Sequence, residues 1–281
     1  MKTILLSAAS LLAVSDLAQA QTLYVSANPG VVGITPSGTV STFYSSPNFL
    51  TGLAFDSGGN LFVSSDYDSI TKLSPLGVKS TFAGGLNPNG LNGIAFDSHG
   101  NLFATDQPGT IFKFTPAADR STFALDGPGY GLTFDRAGNL FVAADNGAQI
   151  LEYSPTGAQS TFASGGTGFD GLAFDASGNL FVTDFGTGDV YKFTPEGGKS
   201  TFASGLSGPF GLAFDSSGTL FVSEYNSNDI VEFTPSGDRS TFVTGLVNPR
   251  YMAFTPVPEP STWLLASIGM AGVWFVGRRK R

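Results

Sequence analysis

The internal period of this chain constrains its fold more than any single residue does. Residues 171 to 202, GLAFDASGNLFVTDFGTGDVYKFTPEGGKSTF, recur in close copies from one end of the sequence to the other. Four signatures can be followed separately: GLAFD, LFV, a TP-x-G turn and STF. LFV or a variant begins at Leu23, Leu61, Leu102, Leu140, Leu180 and Leu220, and STF begins at Ser41, Ser80, Ser121, Ser160, Ser200 and Ser240. GLAFD or a variant begins at Gly52, Gly93, Gly131, Gly171 and Gly211, and a degenerate copy, YMAF, begins at Tyr251 after the last STF. Five repeats are complete, and the sixth is split between the two ends.

A period of 38 to 41 residues is the signature of solenoids and propellers. Within the unit, LFV, DVYKF and KSTFA are short runs rich in aromatic and β-branched residues, broken by Gly, Pro, Asn and Asp. Such runs read as strands, four per unit. Asp175 to Asn179 and Thr194 to Gly197 supply the turns, with Asp able to cap backbone amides and Gly available for positive φ. Four antiparallel strands repeated radially make a β-propeller. The split repeat sets the blade count: residues 21–43 lack one strand, which YMAF at 251–254 supplies, so that the ring closes at six blades with no free sheet edge. The predicted fold is therefore all-β, a six-bladed propeller over residues 21–256. Of 26 Phe, 20 stand at repeat positions, where they read as packing between adjacent sheets rather than as a ligand cage. Leu172 and Phe174 are expected to face one neighbouring blade and Ala173 the other, because side chains alternate along a strand.

Composition removes several chemistries. The chain has no Cys, which excludes disulfides, thiolate metal sites and Cys nucleophiles. Its one histidine, His99, lies in a turn where other repeats carry Gly, Ala or Ser, so neither a Ser-His-Asp triad nor a poly-His metal site is expected. The net charge is −8; removing Lys2 and Asp16 leaves −8, and removing the four basic residues at the C-terminus takes the body to −12. An acidic body disfavours nucleic acid as a partner and suits an exported, soluble domain with cation-mediated affinity for anionic polysaccharide.

The two ends read as export signals. Lys2, an apolar run from Ile4 to Val14 and Ala18-Gln19-Ala20 form a signal-peptide pattern over residues 1–20, with Ala18 and Ala20 flanking the cleavage site and Gln21 as the mature N-terminus. At the other end, residues 257–281 contain Pro258, Glu259 and Pro260, an apolar stretch at 262–277 and the cluster Arg278, Arg279, Lys280 and Arg281. A basic cluster after an apolar helix places the cluster in the cytoplasm and the preceding domain outside. Sixteen residues of helix cover about 24 Å, marginal for a permanent span. VPEPS, a short apolar helix and RRKR resemble the PEP-CTERM sorting signal of Gram-negative bacteria. The resemblance implies processing by an exosortase, transient anchoring in the inner membrane, and release or attachment at the cell envelope, alongside exopolysaccharide and biofilm production.

The repeat also resembles NHL, streptogramin-lyase-like and gluconolactonase propellers, whose units read G-x-A-x-D-x-x-G-N-L-(F/Y)-V. In the gluconolactonase family, residues directly before the innermost strand of certain blades hold a metal ion. The corresponding residues here are Thr51, Asn92, Tyr130, Asp170, Phe210 and Arg250. Asn92 and Asp170 match the family's N-G and D-G forms and are the candidate metal ligands, with Ca²⁺ the ion such oxygens would take. Two oxygen side chains are few for Ca²⁺, which takes six to eight ligands, and Arg250 opposes a cation. A second candidate set follows LFV: Asp66, Asp106, Asp145, Asp184 and Glu224, with Asn28 in the first repeat. Uneven spacing from the leucine argues for turn capping there rather than a ring of ligands. Two functions remain. One is a non-enzymatic, exported binding or matrix propeller with an exopolysaccharide partner and no catalytic residues; the other is a metal-dependent lactonase or lyase of the gluconolactonase or streptogramin-lyase kind.

Overall fold

Each repeat forms one antiparallel four-stranded sheet, and six such sheets are present in the computed structural model. The structure describes residues 21–65, 67, 69–86, 90–125, 129–144 and 149–257. All regular elements among them are strands. In the fifth blade the strands run outward from the axis as Phe169–Phe174, Leu180–Asp184, Asp189–Phe193 and Lys199–Ala203. The first blade is assembled from both ends of the chain: Met252–Phe254 pairs with Leu23–Ala27, followed by Gly30–Ile34 and Val40–Ser45. The closing register sets Leu23 against Phe254 and Val25 against Met252. The fold is a six-bladed β-propeller. The expected cleavage residues Ala18 and Ala20, the motif residues Pro258, Glu259 and Pro260, the apolar stretch 262–277 and the basic cluster Arg278, Arg279, Lys280 and Arg281 lie outside the described residues, as do Asp66 and Asp145.

Aromatic contacts tie each blade to the next. In five interfaces the LFV phenylalanine touches the STF phenylalanine of its own blade and the inner-strand phenylalanine of the following one. Phe141, for example, lies 5.1 Å from both Phe162 and Phe174, edge-on to each. Phe62, Phe103, Phe181 and Phe221 repeat the arrangement, and Tyr24 takes the place in the first blade. The Phe221 to Phe254 contact closes the ring between the last blade and the C-terminal strand. Edge-to-face pairs add about 0.5–1.5 kcal/mol each beyond the area they bury. Leu172 and Phe174 pack with Phe141 of the fourth blade, while Ala173 packs with Phe181 and Leu212 toward the sixth, so the alternation along the strand holds.

The turns on one face of the ring use the repeat's own chemistry. The Asp of each Asp-x-x-Gly turn accepts the backbone N–H four residues on, at 2.8 Å in Asp56, Asp97, Asp135, Asp175 and Asp215 alike. His99 lies exposed in one of them, its N–H donated to Asp97. In the outer turns a Thr or Ser hydroxyl accepts from the residue four further on. The residue before that acceptor's donor has positive φ, and it is Gly38, Gly77, Gly157, Gly197 and Gly237 in five blades. The third blade puts Ala118 there, at φ 69°. A Cβ in that region costs about 1 kcal/mol. Ala118→Gly is therefore expected to raise the unfolding free energy by about 0.5–1 kcal/mol in urea titration, and a lower stability than wild type would show that the turn is unstrained.

Candidate functional site at the channel mouth

Crowding at the axis builds the site. Five of the six inner strands carry a bulge at the residue before the glycine and the glycine itself, seen as a register shift between Leu50 and Leu53, Leu91 and Ile94, Phe169 and Leu172, and their equivalents. The glycine is required because the next blade's carbonyl comes so close. A Cβ on Gly52 would lie 2.6 Å from the Asn92 carbonyl oxygen, and one on Gly171 2.5 Å from that of Phe210. A hydroxyl one strand out locks the bulge. Ser64 Oγ accepts the Gly52 N–H at 2.8 Å and donates to the Asn92 carbonyl at 2.7 Å. Thr105, Thr183 and Ser223 do the same, and Ser26 donates to the Thr51 carbonyl. Only the fourth blade differs among the six: Ala143 stands at that position and has no hydroxyl. This column reads Ser, Ser, Thr, Ala, Thr, Ser directly after LFV or its variants, a signal present in the sequence that the aromatic periodicity overshadowed.

The six residues directly before the glycine position gather at one mouth of the channel. Asn92 and Asp170 are both buried there, but they belong to the third and fifth blades, with Tyr130 of the fourth between them. Asn92 is already engaged: its Nδ2 donates to the Gly129 carbonyl at 2.8 Å. The Thr51 hydroxyl bonds Ser64 and donates to the Leu91 carbonyl. No group of three His, Cys, Asp or Glu among the described residues is placed to hold a metal ion. At this mouth the Asn92 Nδ2 and the Thr51 hydroxyl are engaged with neighbouring backbone carbonyls, and the Arg250 guanidinium lies among aromatic rings.

The described acids after LFV, Asp106, Asp184 and Glu224, are engaged with neighbouring backbone. Asp106 accepts the N–H groups of Gly109 and Thr110, and Asp184 accepts those of Thr167, Gly186 and Thr187 together with the Thr167 hydroxyl. Glu224 accepts the Ser207 N–H and pairs with Arg239 at 2.8 Å. Each sits buried at the end of its strand, opposite the start of the inner strand. They shape the mouth loops by filling their own lone pairs.

What the mouth presents is aromatic. Phe210 is edge-on to Tyr251 at 5.2 Å and near Tyr225 at 6.0 Å, and Phe185 joins both Phe210 and Tyr225. The Arg250 guanidinium lies 5.8 Å from the ring centres of Phe49, Phe210 and Tyr225. Phe49 is 47% exposed and Phe185 37%. Behind them, a cavity of about 260 Å³ is lined by the inner-strand glycines and Tyr251. In the sixth, degenerate repeat Tyr251 occupies the glycine position and lines the same cavity. Its hydroxyl is buried with no hydrogen-bond partner among the described residues.

Residues 256–281 match the PEP-CTERM protein-sorting motif. The chain carries this exosortase-type sorting signal. It is thus an exported protein, sorted to the cell envelope and subject to exosortase processing. No curated protein matches the chain. Among solved structures, a chain of a nidogen/laminin complex is 19% identical with a TM-score of 0.76, over 84% of this chain and 99% of that one. A streptogramin B lyase (14% identity, TM-score 0.66, 84% and 91% covered) and virginiamycin B lyase from Staphylococcus aureus (13%, 0.65, 85% and 92%) are similar in the same way. These likenesses establish the fold, and sites on a shared fold differ.

Burial pushes the Tyr251 phenol well above the usual tyrosine value, with the Asp170 carboxylate adding to the shift and Arg250 opposing it. The folded state therefore holds the Tyr251 proton more tightly than the unfolded chain does. The associated stability is complete below about pH 10, the unfolded value, and is lost as pH rises through the folded one. Tyr251→Phe removes an unpartnered hydroxyl and is expected to be neutral or to gain about 1 kcal/mol at pH 7, and to flatten the loss of stability above pH 10. Urea unfolding at pH 7 and pH 11 checks both; a destabilised variant would show that the hydroxyl has a partner.

Proposed function

We propose that this exported propeller is a non-enzymatic binding protein of the extracellular matrix, with an exopolysaccharide as its ligand. The aromatic mouth carries the reading. Phe49, Phe210 and Tyr225 around Arg250 offer ring faces for the apolar sides of sugars and a fork of donors for their oxygens, on loops positioned by a rigid scaffold. Catalysis of lactone opening or elimination asks instead for converging acids or a metal, and Asp106, Asp184 and Glu224 are occupied by backbone N–H groups. The envelope-directed tail puts the domain where such a polymer would be met.

Affinity electrophoresis through gels containing neutral or uronate exopolysaccharide tests this. Wild type is expected to be retarded, and Phe210→Ala and Arg250→Ala to bind roughly fivefold more weakly, the equivalent of about 1 kcal/mol. The competing reading is a metal-dependent lactonase or lyase, in which Asn92 and Asp170 supply oxygens to the ion. We expect no turnover of aldonolactones with Ca²⁺, Mn²⁺ or Zn²⁺ and equal thermal stability with and without chelator. Turnover that vanishes in Asp170→Ala would make the enzyme the answer.

Processing follows from the same reading, as signal-peptide removal after Ala20, transient anchoring through 262–277 with the C-terminus in the cytoplasm, and cleavage near Pro260. Gln21 supports the first step, since its side chain is anchored in the folded body, donating to the Thr255 carbonyl at 2.6 Å and accepting the Ser216 N–H at 2.7 Å. Mass spectrometry of the exported protein should find Gln21 at the N-terminus and no residues after the Pro260 region. Mature protein that retains Arg281 in an exosortase-bearing cell would contradict it.

A further inference from the structure

On the face opposite the mouth, the chain builds a cation over three of its interblade phenylalanines and puts a glutamate in its place at two others. The last residue but one of the third strand pairs directly with the LFV phenylalanine: Lys72 with Phe62, Lys113 with Phe103, Glu152 with Phe141, Lys192 with Phe181 and Glu232 with Phe221. The Lys72 ammonium lies 5.0 Å from the centre of the Phe62 ring and 3.4 Å from the Asp56 carboxylate. Lys113 and Lys192 sit at 5.3 and 5.4 Å from Phe103 and Phe181. At Lys72 a ring face and a turn carboxylate close around an ammonium group.

At Phe141 the ring and the turn carboxylate are both kept, as Phe141 and Asp135, but the built-in lysine is replaced by Glu152. Glu232, the other substitution, is tied down by the Ser240 hydroxyl at 2.7 Å. Glu152 has no hydrogen-bond or ion-pair partner among the described residues. A cavity of about 900 Å³ opens there between the fourth and fifth blades, with Phe141, Phe162 and Phe174 on its wall, Asp135, Glu152 and Asp175 around it and Arg136 as a lining cation. A carboxylate beside the negative face of an aromatic ring is unfavourable by itself and favourable with a cation between them.

We infer that this cavity binds an alkylammonium group from outside the chain, the head of a lysine side chain or of a free polyamine, with its charge against Phe141, Glu152 and Asp135 and its alkyl stem along Phe162 and Phe174. The inference does not rest on the reading of the mouth, which lies on the other face.

The test is an NMR titration of the purified protein with N-acetyl-lysine amide and with 1,4-diaminobutane, using N-acetyl-norleucine amide as the uncharged analogue. Both amines are expected to shift resonances around Phe141 and Phe174, the norleucine analogue not to; the tighter of the two amines identifies the source. Glu152→Lys restores the built-in cation and should weaken amine binding at least tenfold while raising Tm by about 1–3 °C. Glu152→Gln, which keeps shape and removes charge, should weaken it severalfold. Equal binding of norleucine amide, undiminished binding by Glu152→Lys, a fall in Tm of that variant, or shifts confined to the mouth would each overturn the proposal.

Discussion

The structure depends on how closely six inner strands approach one another around the axis. A neighbouring carbonyl occupies the space that a Cβ would need on Gly52, Gly93, Gly131, Gly171 and Gly211, so the glycine of GLAFD is a consequence of the ring and not of a turn. The same crowding breaks the ladder into a bulge, and the freed backbone groups must find partners. Ser64, Thr105, Thr183 and Ser223 provide them by accepting from one blade and donating to the next. Farther out, where the sheets diverge, the gap widens and phenylalanine fills it.

Function is distributed by where the repeat is broken. Conforming residues are consumed by the scaffold: turn aspartates by N–H groups, LFV aromatics by one another, hydroxyls by bulges. Departures from the repeat are left to face solvent or the channel. Phe210 and Arg250 at the mouth, Tyr251 in a glycine position and Glu152 in a lysine position are all departures of this kind. In a symmetric ring a ligand site needs asymmetry, because six equal positions offer one surface six times.

Legibility in the sequence followed the same division. The strands, the turns and the closure by 251–254 were readable because the period superimposes six independent statements of the same pattern, and the Asp175 and Thr194 turns carry their chemistry in place. The capping role of Asp106, Asp184 and Glu224 could be argued from spacing. The hydroxyl column after LFV was equally visible, but its purpose was not, since its two partners lie 12 residues back and a blade away. Asn92 and Asp170 could be singled out by their motif; that the Asn92 amide is spent on the Gly129 carbonyl could not.

The sequence by itself determined the repeat, the all-β architecture, the number of blades and the sorting signal at the C-terminus, because each is a local or periodic property that short runs of residues express wherever they stand. Only the tertiary structure decided which residues of different blades share an environment. That Arg250 lies among Phe49, Phe210 and Tyr225, that Tyr251 lines the channel near Asp170, and that Glu152 lines a cavity between blades, are facts about distances between blades. No spacing along the chain encodes them, since they arise when the ring closes and brings residues such as Phe49 and Arg250, 201 positions apart, to one place.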